Sequence, residues 1–222
     1  VSDADRKSAE RPTGRQTQRE RREATVGKLL DATIDVLYEL GYARTSIQEI
    51  CRRAGVSHGG LFRHFDTRLD LVVAAADEVG RRLVEGFRGT LARISEEPDA
   101  FTAALRELRA QTLSPLSAVW HEVLTAARTD AELRERFRPA ADRCYLEIRA
   151  VAFELPGIEA FPPDMLEPTL FAVLNLFDGA AVFHHVRDRE ELDDRVLYLA
   201  RSMVRAAQRG MPADFGNGAA QG

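Results

Sequence analysis

Apolar positions along the chain recur at intervals of three and four residues, and nowhere in a sustained alternation of two. The first such stretch runs from about Thr17 to Leu40, with Val26, Leu29, Leu30, Ile34, Leu37 and Leu40 on one helical face. Gly41 follows directly and suits the left-handed position that ends a helix, with Tyr42 folding back as its apolar contact. Ser46-Ile47-Gln48-Glu49 has the spacing of a capping box. Its serine oxygen and glutamate carboxylate would satisfy two backbone donors at the start of a short helix, Ile47 to about Arg53. Gly55-Val56 turns the chain, and Ser57 can cap a third short helix ending near Phe65. Thr67-Arg68-Leu69-Asp70 opens a long fourth helix.

Downstream punctuation is of the same kind. Pro98 and Pro115 fit first-turn positions, where a missing N–H costs nothing. Thr129-Asp130-Ala131-Glu132 and Asp188-Arg189-Glu190-Glu191 look like capping boxes, and Pro162-Pro163 precedes a helix from about Asp164 to Val186. About nine helices and no strand signal predict an all-α protein. Residues 1–16 and 211–222 mix small, polar and charged types without apolar period, so they read as a flexible basic arm and a flexible tail. The remainder divides into a small three-helix unit, 17–66, and a larger helical body, 67–210.

Composition sharpens this picture. A hydrophobic fraction of 45% supports a packed core and excludes wholesale disorder. The longest apolar run, Leu71–Ala76, is far short of the ~18 residues that span a bilayer. With a polar start, Val1-Ser2-Asp3-Ala4-Asp5, the expectation is a cytoplasmic protein without membrane contact. Cys51 and Cys144 have no cysteine or histidine at ligand spacing, so neither a disulfide framework nor a zinc motif is expected. The net charge of −4 hides an uneven layout. Between Arg6 and Phe65 twelve basic side chains face seven acidic ones, a balance of +5 that leaves −9 for the other 162 residues. A basic end on an acidic body points to a polyanion as partner of that end alone.

Short helix, glycine-containing turn and short helix form a helix-turn-helix, whose second helix can enter a major groove. Its first residues, Ser57-His58-Gly59-Gly60, contain two glycines that each cost a helix about 1 kcal/mol relative to alanine. Glycine there allows another backbone or a base edge to come close. Leu61 and Phe65 face inward, while His58, Phe62, Arg63 and His64 are left to look outward or sideways. Packing alone explains such a surface poorly.

These residues also carry a resemblance. Gly41-Tyr42, Thr45-Ser46-Ile47-Gln48-Glu49-Ile50, Ala54-Gly55-Val56-Ser57, Gly60-Leu61-Phe62-Arg63-His64-Phe65, Arg68 and Leu71 resemble the DNA-binding domain of the TetR family of transcriptional regulators. The likeness covers about fifty contiguous residues, Arg22 to Leu71; the rest of the chain matches in helix pattern only. It implies a DNA-binding set of Arg44, Thr45, Ser46, Gln48, Ser57, His58, Gly59, Gly60, Phe62, Arg63, His64 and Arg68. Thr45, Ser46 and His64 would hold phosphate, Gln48 would face the groove, Ser57 would cap, and Arg68 would clamp the DNA backbone. Phe62 stands where the family usually has tyrosine, and Arg68 where it usually has lysine. The arginine arm would reach a minor groove.

The helix after Pro163 is apolar all round, which requires burial on two sides. By the resemblance, the last two main helices pair with a second copy, through Leu166, Leu170, Leu174, Phe177, Ala181, Val196, Leu199 and Met203. A homodimer would set two recognition helices about 34–36 Å apart, matching successive major grooves. The resemblance further implies a repressor released from a double-stranded operator by a small-molecule effector. Polar or aromatic groups within apolar helices are the candidate pocket: Trp120, His121, Tyr145, Asn175, Asp178 and His184. No metal site is expected, because His121-Glu122 lacks the second histidine of a zinc-peptidase motif, having Thr125 there. No cofactor is expected either. The competing reading is an all-α enzyme or interaction scaffold with an incidental helix-turn-helix. Against the enzyme stands the lack of a nucleophile elbow, a phosphate loop or a dinucleotide fingerprint.

Overall fold

The computed structural model describes residues 17–94, 97, 99–184, 186 and 190–210. Among them are nine α-helices and two 3-10 turns, with no strand. The arm, the tail, Pro98 and the expected cap at Asp188 lie outside the described residues.

Helix α1 (Gln18–Leu40) opens under a reciprocal cap: Thr17 Oγ1 accepts from Glu20 N–H, and the Glu20 carboxylate accepts from Thr17 N–H. It stops at Gly41, whose φ of +75° is positive as expected. Its ψ of 169° is extended, not left-handed helical. A side chain here would also place Cβ 2.8 Å from Glu122 Oε1, so this corner requires glycine twice over. A 3-10 turn (Tyr42–Arg44) leads into α2 (Ile47–Ala54), capped by Ser46 Oγ accepting from Glu49 N–H. The reciprocal half of that expected box does not form, because the Glu49 carboxylate accepts from Arg52 and Arg53 instead. Gly55 ends α2 in the left-handed region, φ +64° and ψ +32°.

Ser57 caps α3 (His58–Leu61), which is shorter than the sequence pattern predicts. Two glycines weaken it, and beyond Leu61 the backbone continues only as a turn. Helix α4 (Arg68–Ile94) starts with mutual Thr67 and Asp70 bonds. Asp99 caps α5 (Ala100–Thr112). Pro115 takes the expected first position of α6 (Pro115–Ala127). Asp130, not Thr129, caps α7 (Ala131–Ala152). Helices α8 (Leu166–His184) and α9 (Glu190–Gln208) complete the body. By length and mean hydropathy (1.3) α8 could cross a membrane, yet it packs on α5, α6, α7 and α9.

Leu29, Val36, Ile50, Leu61 and Leu71 close the core of the small N-terminal unit. Leu37, Val72, Val79, Val119, Leu133 and Phe137 begin the core of the body, which continues along α4 to Ile94. A separate cluster joins α5, α8 and α9. Leu71 and Val72 are neighbours in α4, both 0% exposed, and each serves a different core.

A polar joint fastens the small unit to the body. Tyr42 N–H donates to Glu122 Oε1 at 2.6 Å, and the Tyr42 hydroxyl donates to Asp130 Oδ2 at 2.6 Å. Arg68 closes the joint from α4, donating to the Tyr42 and Thr45 carbonyls at 3.0 and 3.2 Å. Its guanidinium lies 4.5 Å from the Tyr42 ring centroid. Burial first, then the bond to Asp130, raises the Tyr42 hydroxyl above its ordinary value.

Two outcomes are expected. Leu61→Ala empties a fully enclosed site and should cost about 2–5 kcal/mol in urea titration. A loss below about 1 kcal/mol would show a loosely packed head. Asp130 is held below its ordinary value of 3.8 by Leu133 N–H and then by the Tyr42 hydroxyl. Its contribution is complete above that range and lost as pH falls through the lower folded value. The Tm deficit of Tyr42→Phe should therefore be clear at neutral pH and shrink as pH falls below the ordinary aspartate range. A deficit that stays constant with pH would remove Asp130 from the joint.

Candidate functional site

The exposed tip of the small unit is built from the starts of α2 and α3. Ser57 Oγ accepts from Gly60 N–H at 3.1 Å, which holds the short α3 in register as the sequence predicts. Among the described residues Gln48, His58 and Arg63 are exposed and have no hydrogen-bond or ion-pair partner. Phe62 is 48% exposed beside them in sequence. A Cβ at Gly59 would meet nothing within 4 Å, so interior packing does not require glycine there. Gly60 differs: its Cβ would lie 2.9 Å from Val56 Cγ1 and 3.2 Å from Ser57 Oγ. That glycine is needed by its own turn, whatever approaches it from outside.

Other members of the expected set also face inward. Thr45 is buried, and its hydroxyl donates to the Gly41 carbonyl at 2.8 Å, so it cannot hold phosphate through that group. Arg68 places Nη1 in the joint with Tyr42, its guanidinium over that ring. His64 Nδ1 is buried and lacks a hydrogen-bond partner among the described residues. Ser46 remains exposed while capping α2, and Arg44 is exposed with Nε donating to the Leu40 carbonyl. Some of the basic side chains are neutralised locally. Arg53 pairs with Glu39 and Glu49, and Arg52 with Glu49, whose carboxyl the two guanidiniums hold down at about 2.

Two adjoining cavities open within the body, each about 480 Å³ including its mouth. The first lies among α4, α5, α7, α8 and α9 and is lined by Phe101, Leu105, Leu155, Phe161, Leu170 and Val173, among others. Thr169 is its only polar residue, with its hydroxyl donated to the Met165 carbonyl at 2.6 Å. The second holds Gln111, Thr112, Ser117, Trp120, His121, Cys144 and Asp178, and shares Phe87 and Leu108 with the first. His121 Nε2 and Asp178 Oδ1 are 3.0 Å apart. Cys144 is buried, and its thiol is pushed up to about 12, foremost by burial. Three of the six expected pocket residues, Trp120, His121 and Asp178, are thus brought together. Tyr145, Asn175 and His184 do not line either cavity. Asn175 is exposed and donates back to the Phe171 carbonyl. The apolar lining was not singled out in the sequence, since it has the ordinary spacing of core residues.

The expected pairing surface is also rearranged. Phe177 and Ala181 are 1% exposed and belong to the chain's own core. Leu166 and Leu170 line the apolar cavity, Leu174 the polar one, and Val196 packs on the α5–α8–α9 cluster. Of the expected set, Leu199 and Met203 stay on an open face, together with Phe171, Val182, Phe183 (74% exposed) and Tyr198. The cause is phase: α8 is apolar all round, so periodicity cannot say which side turns inward.

Residues 29–75 match the profile of the family described as bacterial regulatory proteins, tetR family. An HTH-type transcriptional regulator of Mycobacterium tuberculosis (H37Rv) is 40% identical over 190 residues, 86% of this chain and 97% of that protein. The HTH-type transcriptional regulator CymR of Pseudomonas putida is 30% identical over 76% of this chain and 83% of its own length. In fold, a TetR-family regulator from Mesorhizobium loti matches with a TM-score of 0.67 at 14% identity, covering 85% of this chain and 97% of that one. With the match at the head and full-length similarity to a transcriptional regulator both in place, the chain belongs to the TetR family of transcriptional regulators.

Proposed function

We propose that the protein is a homodimeric repressor, held on a double-stranded operator by its N-terminal heads and released by a small molecule bound in the body. The observation that carries this reading is the tip of the head: Gln48, His58 and Arg63 are exposed and unpartnered on two firmly capped helix starts. Groups so placed can exchange water for base edges or phosphate without first breaking an internal bond. Occupancy of a promoter excludes other proteins from the same duplex, so repression needs no additional contact surface.

Pairing follows from the open apolar face of α8 and α9. Phe171, Phe183, Tyr198 and Leu199 are large apolar groups that the folded chain leaves in water. A second copy covering them would recover about 25 cal/mol for each Å² of apolar surface removed from water. Release needs a link between cavity and head, and α6 supplies one. His121 lines the polar cavity, and the next residue, Glu122, accepts from Tyr42 N–H at the joint. A ligand that binds better to a shifted α6 would favour the state in which the joint is strained.

Three measurements test this. On fragments selected from genomic DNA, log affinity should fall linearly with log salt; a flat line would remove the DNA reading. Gln48→Ala or His58→Ala should change sequence preference by about 1–3 kcal/mol at one position, while Arg63→Ala should weaken all duplexes alike. The two kinds of variant behaving identically would refute the division of roles. Phe183→Asp with Leu199→Asp should yield a folded monomer by light scattering, and a persisting dimer would place the interface elsewhere.

A further inference from the structure

The two cavities differ in chemistry, and the difference specifies what they take. Resting on the reading of this body as an effector-binding unit, we propose that the ligand is an amphipathic amine or alcohol: a hydrocarbon body in the apolar chamber and a hydrogen-bond-donating, non-anionic head beside Asp178.

The apolar chamber offers a ligand no free polar group, because the hydroxyl of Thr169 is committed to its own helix. Only hydrocarbon can enter it without losing hydrogen bonds to water. The neighbouring chamber is polar and richer in acceptors than in donors. Thr112 donates its hydroxyl to the Arg109 carbonyl, and Ser117 donates to the Gln111 carbonyl, each at 2.8 Å. The Gln111 amide donates one N–H to the Leu83 carbonyl and keeps the other, and the Trp120 indole adds a second donor. Against these stand more acceptors: two hydroxyl oxygens, the Gln111 amide oxygen and the Asp178 carboxylate.

Asp178 completes this arrangement. It stands at the mouth, its side chain 42% exposed, with one oxygen 3.0 Å from His121 Nε2. An ionised aspartate beside histidine receives the ring N–H and retains further lone pairs. Glu147 and Asp77 also act on Cys144 in the same wall, although Asp77 is paired with Arg143. A carboxylate head would bring negative charge and further acceptors to Asp178. An ammonium or hydroxyl head supplies donors to it. Phe87 and Leu108 line both chambers, so one molecule can occupy the two together.

Trp120 is the chain's single tryptophan and lines the polar chamber, so its emission reports occupancy directly. The full-length protein is titrated with decylamine, 1-decanol and decanoate below their aggregation limits, and with butylamine. Decylamine and 1-decanol should saturate, with decanoate weaker by about tenfold or more. Each methylene removed from the amine should cost about fourfold in affinity. Asp178→Asn keeps the shape and should narrow or reverse the amine-over-acid preference. Decanoate binding as tightly as decylamine, an unchanged preference in Asp178→Asn, or no saturable response to any probe would overturn the proposal. DNA binding is then read in the same samples. Probes that bind in the expected order but leave the DNA complex intact would sustain the ligand class and refute release by this cavity.

Discussion

The architecture depends on one helix being buried at both ends of its length by different partners. Helix α4 gives Leu71 to the core of the head and Val72, the next residue, to the core of the body. Adjacent residues on a helix point about 100° apart, so two cores can grip the same turn from two sides. Neither core can move along α4 without exposing one of these side chains. The head is too small to supply many apolar contacts by itself, and its short α3 contributes Leu61 as its one buried side chain. Its stability is therefore borrowed from α4, and its orientation is set by whatever fixes the first turn of that helix.

The polar joint fixes that turn. Arg68, at the start of α4, holds the Tyr42 and Thr45 carbonyls, while Tyr42 reaches α6 through Glu122 and the start of α7 through Asp130. Hydrophobic contact is indifferent to small rotations; hydrogen bonds of 2.6–3.2 Å are not. The joint thus converts a loose apolar contact into a defined angle between head and body. It is also only partly buried, so its hydrogen bonds compete with water. A purely apolar joint would hold position poorly, and a fully buried ionic one would carry a heavy desolvation cost.

Much of this was legible in the sequence, and the legible part has a common cause. Caps and turns are local: Ser57, Pro115 and Gly55 do in the structure what their neighbours in the chain imply. The helix-turn-helix was legible for the same reason. What was not legible depends on contacts distant in sequence. Glu49 has the spacing of a capping residue, yet two arginines one turn on compete for its carboxylate and win with charge. Thr45 and Arg68 look like outward phosphate ligands until Gly41, Tyr42 and Glu122 are seen to draw that corner inward. Phe177 and Phe183 lie six apart on an all-apolar helix, and only the position of α9 tells buried from exposed.

Local charge pairing also alters what the basic end can do. Arg52 and Arg53 count toward the excess of positive charge, but Glu39 and Glu49 neutralise them on the flank of α2. The pairing leaves the net balance unchanged and moves the available charge away from that flank. On the head it rests with exposed groups that have no carboxylate partner among the described residues, Arg21, Arg22 and Lys28 on α1 and Arg63 at the tip, and with Arg44, whose single bond is to a carbonyl. Nonspecific affinity for a duplex scales with the phosphates neutralised, so these five side chains, not the paired arginines of α2, are what a DNA backbone can draw on. Contacts to base edges tolerate misalignment less than diffuse charge attraction does, so the angle set at Tyr42 bears on the first more than on the second.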